Sequence, residues 1–211
     1  MRELAAITPV LRRALHPRAS AARATGLDVM VLAAIASGLL ARLLPHTPVR
    51  VVVYDQLRAV IWPILPMIPA GLLPAAASEF ASARIRLAAR PPHILRAAYA
   101  ALVALVALVA LCIAPRTQQT VLSRNTLFMI GLGLLATTWL PGSIAWAPVV
   151  LLPSTMWLLG WIDVGHAHTW AWLLQPANNT LAQLVTAPVF CIGIATFTMR
   201  GPRFRAGPSR R

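Results

Sequence analysis

Apolar residues in this chain come in long runs, unlike the alternation of a half-buried strand or the one-sided stripe of a surface helix. A bilayer crossing needs about 20 mostly apolar residues. Six stretches qualify: 26–45, 54–77, 94–114, 124–140, 143–162 and 180–199. The second has a charge-free core from Ala59 to Ser78, and the third contains three Ala-Leu-Val triplets within 101–110. No charged residue occurs from Asn125 to Ile162. Pro141-Gly142 divides that run with a turn signal, leaving two spans. The pattern predicts an all-α, polytopic membrane protein with about six transmembrane helices, forming a single transmembrane domain over 1–211. Residues 1–25 form its N-terminal interfacial part, 26–199 the six spans and 200–211 a basic tail.

Composition agrees. Of 211 residues, 58% are hydrophobic and 11% charged, against about 25% charged in ordinary soluble domains. A soluble fold of this size has too much surface for its volume to hide so much apolar area.

The arginines give the expected orientation. Cytoplasmic segments carry an excess of Arg and Lys. With the N-terminus inside, the inner segments hold Arg2, Arg12, Arg13, Arg18, Arg23, Arg84, Arg86, Arg90, Arg96, Arg200, Arg203, Arg205, Arg210 and Arg211. The outer segments and adjoining span ends hold Arg42, Arg50, Arg58, Arg116 and Arg124. Fourteen against five places both termini in the cytoplasm, which requires an even number of spans. The net charge of +14 by itself invites a nucleic-acid reading. Clusters flanking apolar runs instead suit anchoring to anionic lipid, so the expected partner is the bilayer and not nucleic acid. No cleavable signal peptide is expected, because the first apolar run starts late.

Three segments do not span. Residues 2–18 place Leu, Ile and Val among arginines, as in a short interfacial helix, with Pro9 as a kink; a disordered basic tail is the plainer alternative. Residues 77–93 carry Glu79, Arg84, Arg86 and Arg90 and end at Pro91-Pro92. They read either as a helix and turn that a soluble partner could hold or as a charged loop that enforces topology. Residues 163–179 mix polar groups with Trp170, Trp172, Leu173 and Leu174, as in a half-inserted hairpin or a loop contributing to the interfacial aromatic belt.

Candidate chemistry is sparse. All nineteen basic residues are arginine, which removes lysine Schiff bases and the GxxxxGK[ST] phosphate loop; any ATP would be hydrolysed by another chain. Asp55 and Arg58 would share a helical face as a local ion pair. Asp163, His166 and His168 offer a possible but weak metal-binding trio. Asn178-Asn179-Thr180 matches a glycosylation sequon. Cys112 and Cys191 read as small buried hydrophobes. No catalytic, cofactor or metal site is assigned, and the chain is not expected to be an enzyme. The second span is the unusual one. Pro63, Pro66 and Pro69 recur every three residues, each removing a backbone donor. Carbonyls freed at membrane depth must face protein or a watery cavity, so this broken helix is either a gate or a kink whose neighbours fill the gaps.

The assembled pattern resembles the permease subunits of ABC-2-type exporters. The residues that carry the likeness are Glu-Phe-Ala-Ser-Ala-Arg-Ile-Arg-Leu-Ala-Ala-Arg-Pro from Glu79, the run RNTLFMIGLGLLAT at 124–137 and WAWLLQP at 170–176. The resemblance implies an interfacial N-terminal helix, six spans with both ends inside, a cytoplasmic coupling segment between spans two and three, and an extracellular helical hairpin between spans five and six. It further implies a second permease chain and a separate cytoplasmic ATPase coupled through Glu79, Arg84 and Arg86, in a bacterial inner membrane. The competing expectations are a non-transport membrane protein, such as an assembly or immunity factor, and a small intramembrane enzyme.

Overall fold

A computed structural model describes residues 27–44, 48–50, 58–84, 91–163 and 166–203. The expected interfacial helix at 2–18, Asp55, Arg86 and the tail beyond Arg203 lie outside the described residues. The described part is mostly helical. Its six α-helices are α1 (Leu27–Leu43), α2 (Met67–Arg84), α3 (Pro92–Leu111), α4 (Arg116–Trp139), α5 (Ala147–Leu159) and α6 (Thr180–Arg200). Two small antiparallel hairpins interrupt them: β1 (Pro48–Arg50) with β2 (Arg58–Val60), and β3 (Trp161–Asp163) with β4 (His166–Ala167). Single 3-10 turns follow at Trp62–Ile64 and Trp172–Leu174. By length and composition, α3, α4 and α6 are long and apolar enough to cross a membrane.

Local sequence explains the helix limits. Pro92 begins α3 at a first-turn position whose N–H would be unpaired anyway. Asn179 caps α6, its side chain accepting from the Ala182 amide at 3.0 Å. Gly201 ends α6 at φ 73, a left-handed conformation that suits glycine. Asp28 in the first turn of α1 and Arg42 in the last match the helix dipole.

Along α3, Ala100, Ala104 and Ala107 are buried with Tyr99, Val103 and Leu111, while Leu102, Leu105 and Val109 face outward, so alanines let the helices approach closely. The closest approach joins α4 to α6. A Cβ added to Gly193 would sit 2.8 Å from the Gly131 Cα, and one added to Gly131 would sit 2.5 Å from the Phe190 Cα. The two backbones therefore touch, and only glycine fits at the crossing. Gly38 serves the same purpose where α1 meets Ala110 of α3. The helix α4 lies at the centre, with Asn125, Thr126, Phe128, Met129, Ile130 and Leu134 all buried.

Successive helices alternate in direction, which gives the bundle two ends. At the hairpin end, Asn125 meets Pro63 and Leu173, and Trp157 meets Val60. At the opposite end, Arg96 at the start of α3 reaches Thr198 and Met199 of α6, and Arg203 reaches Thr137 and Trp139 of α4.

Several expectations are corrected. The stretch 54–77 is not one helix: residues 58–60 pair as a strand, a 3-10 turn follows, and α2 starts only at Met67 and continues through 77 to Arg84. The front of the expected coupling segment is thus the end of α2. Arg58 lies on β2, so it has no helical i,i+3 relation to Asp55. The stretch 143–162 is helical only over Ala147–Leu159, about 20 Å at 1.5 Å per residue, because turns at 142–146 and strand β3 take its two ends. The segment between the last two long runs is a β-hairpin and a 3-10 turn, not a helical hairpin. Both cysteines are exposed rather than buried.

Candidate functional site

The interrupted entry to α2 and the hairpin before α6 meet at one end of the bundle. Pro63 lies inside the 3-10 turn, Pro66 in the turn that follows, and Pro69 in the first turn of α2. All three are buried. Pro69 removes a donor that a first-turn residue does not use; the interior proline of α2 is Pro74.

The break leaves the Val60 and Pro63 carbonyls to side chains of other helices, while the Leu65 carbonyl accepts the Ile68 amide at 3.1 Å and a further side-chain contact. Trp157 Nε1 on α5 donates to the Val60 carbonyl at 2.8 Å. Asn125 Nδ2 on α4 donates to the Pro63 carbonyl at 2.9 Å. Ser37 Oγ on α1 shares its one proton between the Ala33 carbonyl of its own helix at 2.9 Å and the Leu65 carbonyl at 3.2 Å. Neighbouring side chains thus satisfy the polar backbone exposed by the prolines, as its burial requires.

Asn125 also donates to the Leu173 carbonyl at 2.8 Å, which ties the break to the hairpin segment. Beside it, Arg124 is 7% exposed. Its Nη2 donates to the carbonyls of Gln175 at 2.9 Å, Trp172 at 3.1 Å and Leu173 at 3.4 Å. Its Nη1 donates to the Pro176 carbonyl at 3.0 Å and its Nε to Asn125 Oδ1 at 3.2 Å. A guanidinium suits this cage because its donors lie in a fixed planar fork that several carbonyls can face at once.

The segment held in the cage is built to insert. Ala171 and Leu173 are fully buried, and Trp172 packs edge-on to Phe128 of α4 with ring centroids 5.9 Å apart. Gln175 Nε2 closes the hairpin by donating to the carbonyls of Ala167 at 3.0 Å and His168 at 2.9 Å. His166 and His168 are exposed, and His168 stacks on Trp170 at 6.2 Å. Among the described residues no group of three metal-ligating side chains converges.

Glu79 and Arg84 lie in the C-terminal half of α2, whose N-terminal end meets the hairpin side, so they stand apart from the proline break. The structure thus does not bring the two sets of sequence-chosen residues together. The residues that organise the hairpin end, Arg124 and Asn125, were visible in sequence only as an arginine at a span end and the first residue of a charge-free run. A stronger signal lay in the two quoted runs: RNTLFMIGLGLLAT and WAWLLQP are bonded to each other through their Arg124-Asn125 and Trp172–Pro176 ends.

The arrangement holds the hairpin and the broken segment together in one polar cluster. It offers no nucleophile or acid–base pair among the groups that form it. No protein-family model matches the chain, and neither a curated protein nor a solved structure matches it.

Proposed function

We propose that this chain is the membrane-spanning permease subunit of an ATP-driven exporter in a bacterial inner membrane. It works with a second permease chain and a separate cytoplasmic ATPase. The six helices are its six spans, both termini are cytoplasmic, and the hairpin end faces outward. The observation that carries the reading is the discontinuous entry to α2, clamped by Ser37, Asn125 and Trp157. A broken helix at membrane depth, some of whose carbonyls are held by side chains of other helices, is a natural moving part of a transport path. In the closed state the Arg124–Asn125 cluster locks this segment to the hairpin. The arginine count along the whole sequence, fourteen against five, supports the orientation.

Coupling falls to the end of α2 and the residues that follow it, with Glu79, Arg84 and Arg86 at the contact. Truncating one member of a close interfacial charge pair costs about 2–5 kcal/mol. The test is copurification of the tagged chain in mild detergent. An ATPase is expected with the native protein, Glu79→Arg should lose it without loss of membrane insertion, and Arg116→Glu, at the hairpin end, should keep it. Absence of an ATPase from the native preparation, or equal recovery with Glu79→Arg, would move a non-transport membrane role ahead.

A further inference from the structure

A furrow of about 340 Å³ runs between α4 and α6 on the hairpin side of their glycine crossing, bounded by Arg124, Leu127, Gln183, Thr186, Phe190 and Cys191, with Ala187 also on its wall. Its polar groups and its apolar groups are separated along the helix axis. Arg124, Gln183 and Thr186 stand toward the hairpin, and Leu127, Ala187, Phe190 and Cys191 continue away from it. From Gln183 to Cys191 the wall extends about 12 Å at 1.5 Å per residue.

Among the described residues, no carboxylate is bonded to Arg124. Each of the five acceptors around Arg124 is a neutral oxygen, four backbone carbonyls and one amide. Its Nη1 has two hydrogens and, among the described residues, one acceptor, the Pro176 carbonyl. A buried cation held only by dipoles gains strongly from a nearby anion, because the low local dielectric magnifies the attraction. The apolar wall is open to the outside: Ala187 and Cys191 are exposed. Both α4 and α6 are long and apolar enough to cross a membrane, so a molecule entering the furrow from outside the bundle comes from the bilayer.

We propose that this furrow binds one anionic phospholipid. An acyl chain lies along Leu127, Ala187, Phe190 and Cys191, and the headgroup phosphate sits at the Gln183 mouth within electrostatic reach of Arg124. The lipid supplies a countercharge that the described residues do not place beside this arginine. It also seats against the helices that hold the hairpin, so lipid charge and hairpin stability become linked. The site does not depend on the exporter reading and stands whether or not an ATPase copurifies.

Native mass spectrometry of the detergent-solubilised full chain, titrated separately with dioleoylphosphatidylglycerol and dioleoylphosphatidylcholine, tests it. The expected result is one tightly retained phosphatidylglycerol, about tenfold tighter than phosphatidylcholine, a ratio within reach of one added charge interaction. Ala187→Trp fills the furrow from an exposed position and should abolish this bound lipid while the thermal midpoint in detergent is kept. Arg124→Gln should reduce phosphatidylglycerol binding to the phosphatidylcholine level. Because Arg124 also holds the hairpin, Ala187→Trp carries the test independently of any folding defect. Equal affinity for the two lipids would overturn the proposal. So would a phosphatidylglycerol preference unchanged in Ala187→Trp, which would assign the lipid to the exposed arginines.

Discussion

Both ends of the bundle use arginine to satisfy backbone carbonyls, but with opposite consequences. At the hairpin end one buried guanidinium, Arg124, gathers four carbonyls of residues 172–176 and the amide of Asn125. At the opposite end the same chemistry is divided among three arginines, Arg96 half-buried and Arg200 and Arg203 exposed. Arg96 donates to the Thr198 and Met199 carbonyls at 3.4 Å, Arg203 donates to the Trp139 carbonyl at 3.0 Å, and Arg200 lies 4.5 Å from the Trp139 ring centroid. Arg200 and Arg203 are exposed, so water can replace either of them. Inside the bundle the Gln175 carbonyl has Arg124 as its donor among the described residues, while the Trp172, Leu173 and Pro176 carbonyls also accept from the Gln175 amide, Asn125 Nδ2 and the Asn179 amide. Burial, more than the number of bonds, decides which arginine determines structure.

The contrast is testable from its largest expected effect downward. Arg124→Leu leaves the Gln175 carbonyl without its donor and takes one of two donors from the Trp172, Leu173 and Pro176 carbonyls, and should cost about 3 kcal/mol, by the scale of charge-assisted bonds and unsatisfied buried acceptors. A thermal melt in detergent would read this, and Arg124→Lys should recover only part, since a point charge cannot face four carbonyls as a planar fork does. Next comes Gly193→Val, which forces side-chain atoms into the Gly131 backbone; overpacking of this kind costs about 1–3 kcal/mol. Its melt should fall clearly, while Gly142→Val, where an added Cβ meets nothing within 4 Å, should melt near the native value. Asn125→Leu removes the bonds to Pro63 and Leu173 and should cost about 1–2 kcal/mol, since single hydrogen bonds in membrane bundles average about 0.6 kcal/mol. Limited proteolysis should then cut near 170–176 faster than in the native protein. The smallest effect belongs to Arg203→Ala, expected to shift the melt by less than about 2 °C. If Arg203→Ala destabilised as much as Arg124→Leu, the burial argument would fail.

Legibility in the sequence followed the same division. Where one helix is set by its own residues, expectation and structure nearly coincide: 94–114 against Pro92–Leu111, and 180–199 against Thr180–Arg200. The turn at Pro141-Gly142 was equally readable. The second and fifth apolar runs misled because hydropathy reports burial, not backbone path, and an apolar strand or turn at 58–66 or 160–163 reads like the end of a helix. The proline spacing did announce a break, but not who repairs it. Asn125 lies 62 residues from Pro63, and Arg124 lies 51 residues from Gln175. Such long-range pairing leaves no periodic mark, so Arg124 counted in sequence only toward sidedness. The exposed cysteines were misjudged for a related reason: in a membrane bundle an apolar run does not say which side chains face neighbours and which face lipid.

The central claim is that the broken entry to α2 is a gate closed against the hairpin and opened in the working cycle. The most direct test joins those two parts covalently. In a cysteine-free background, with Cys112 and Cys191 replaced by serine, cysteines at Pro63 and Leu173 would be bridged by a short, reducible bifunctional thiol reagent in the copurified permease–ATPase complex. The measurement is ATP turnover before bridging, after it, and after reduction. The account predicts that bridging stops turnover and that reduction restores it. Turnover that continues unchanged across the bridge would contradict the gate.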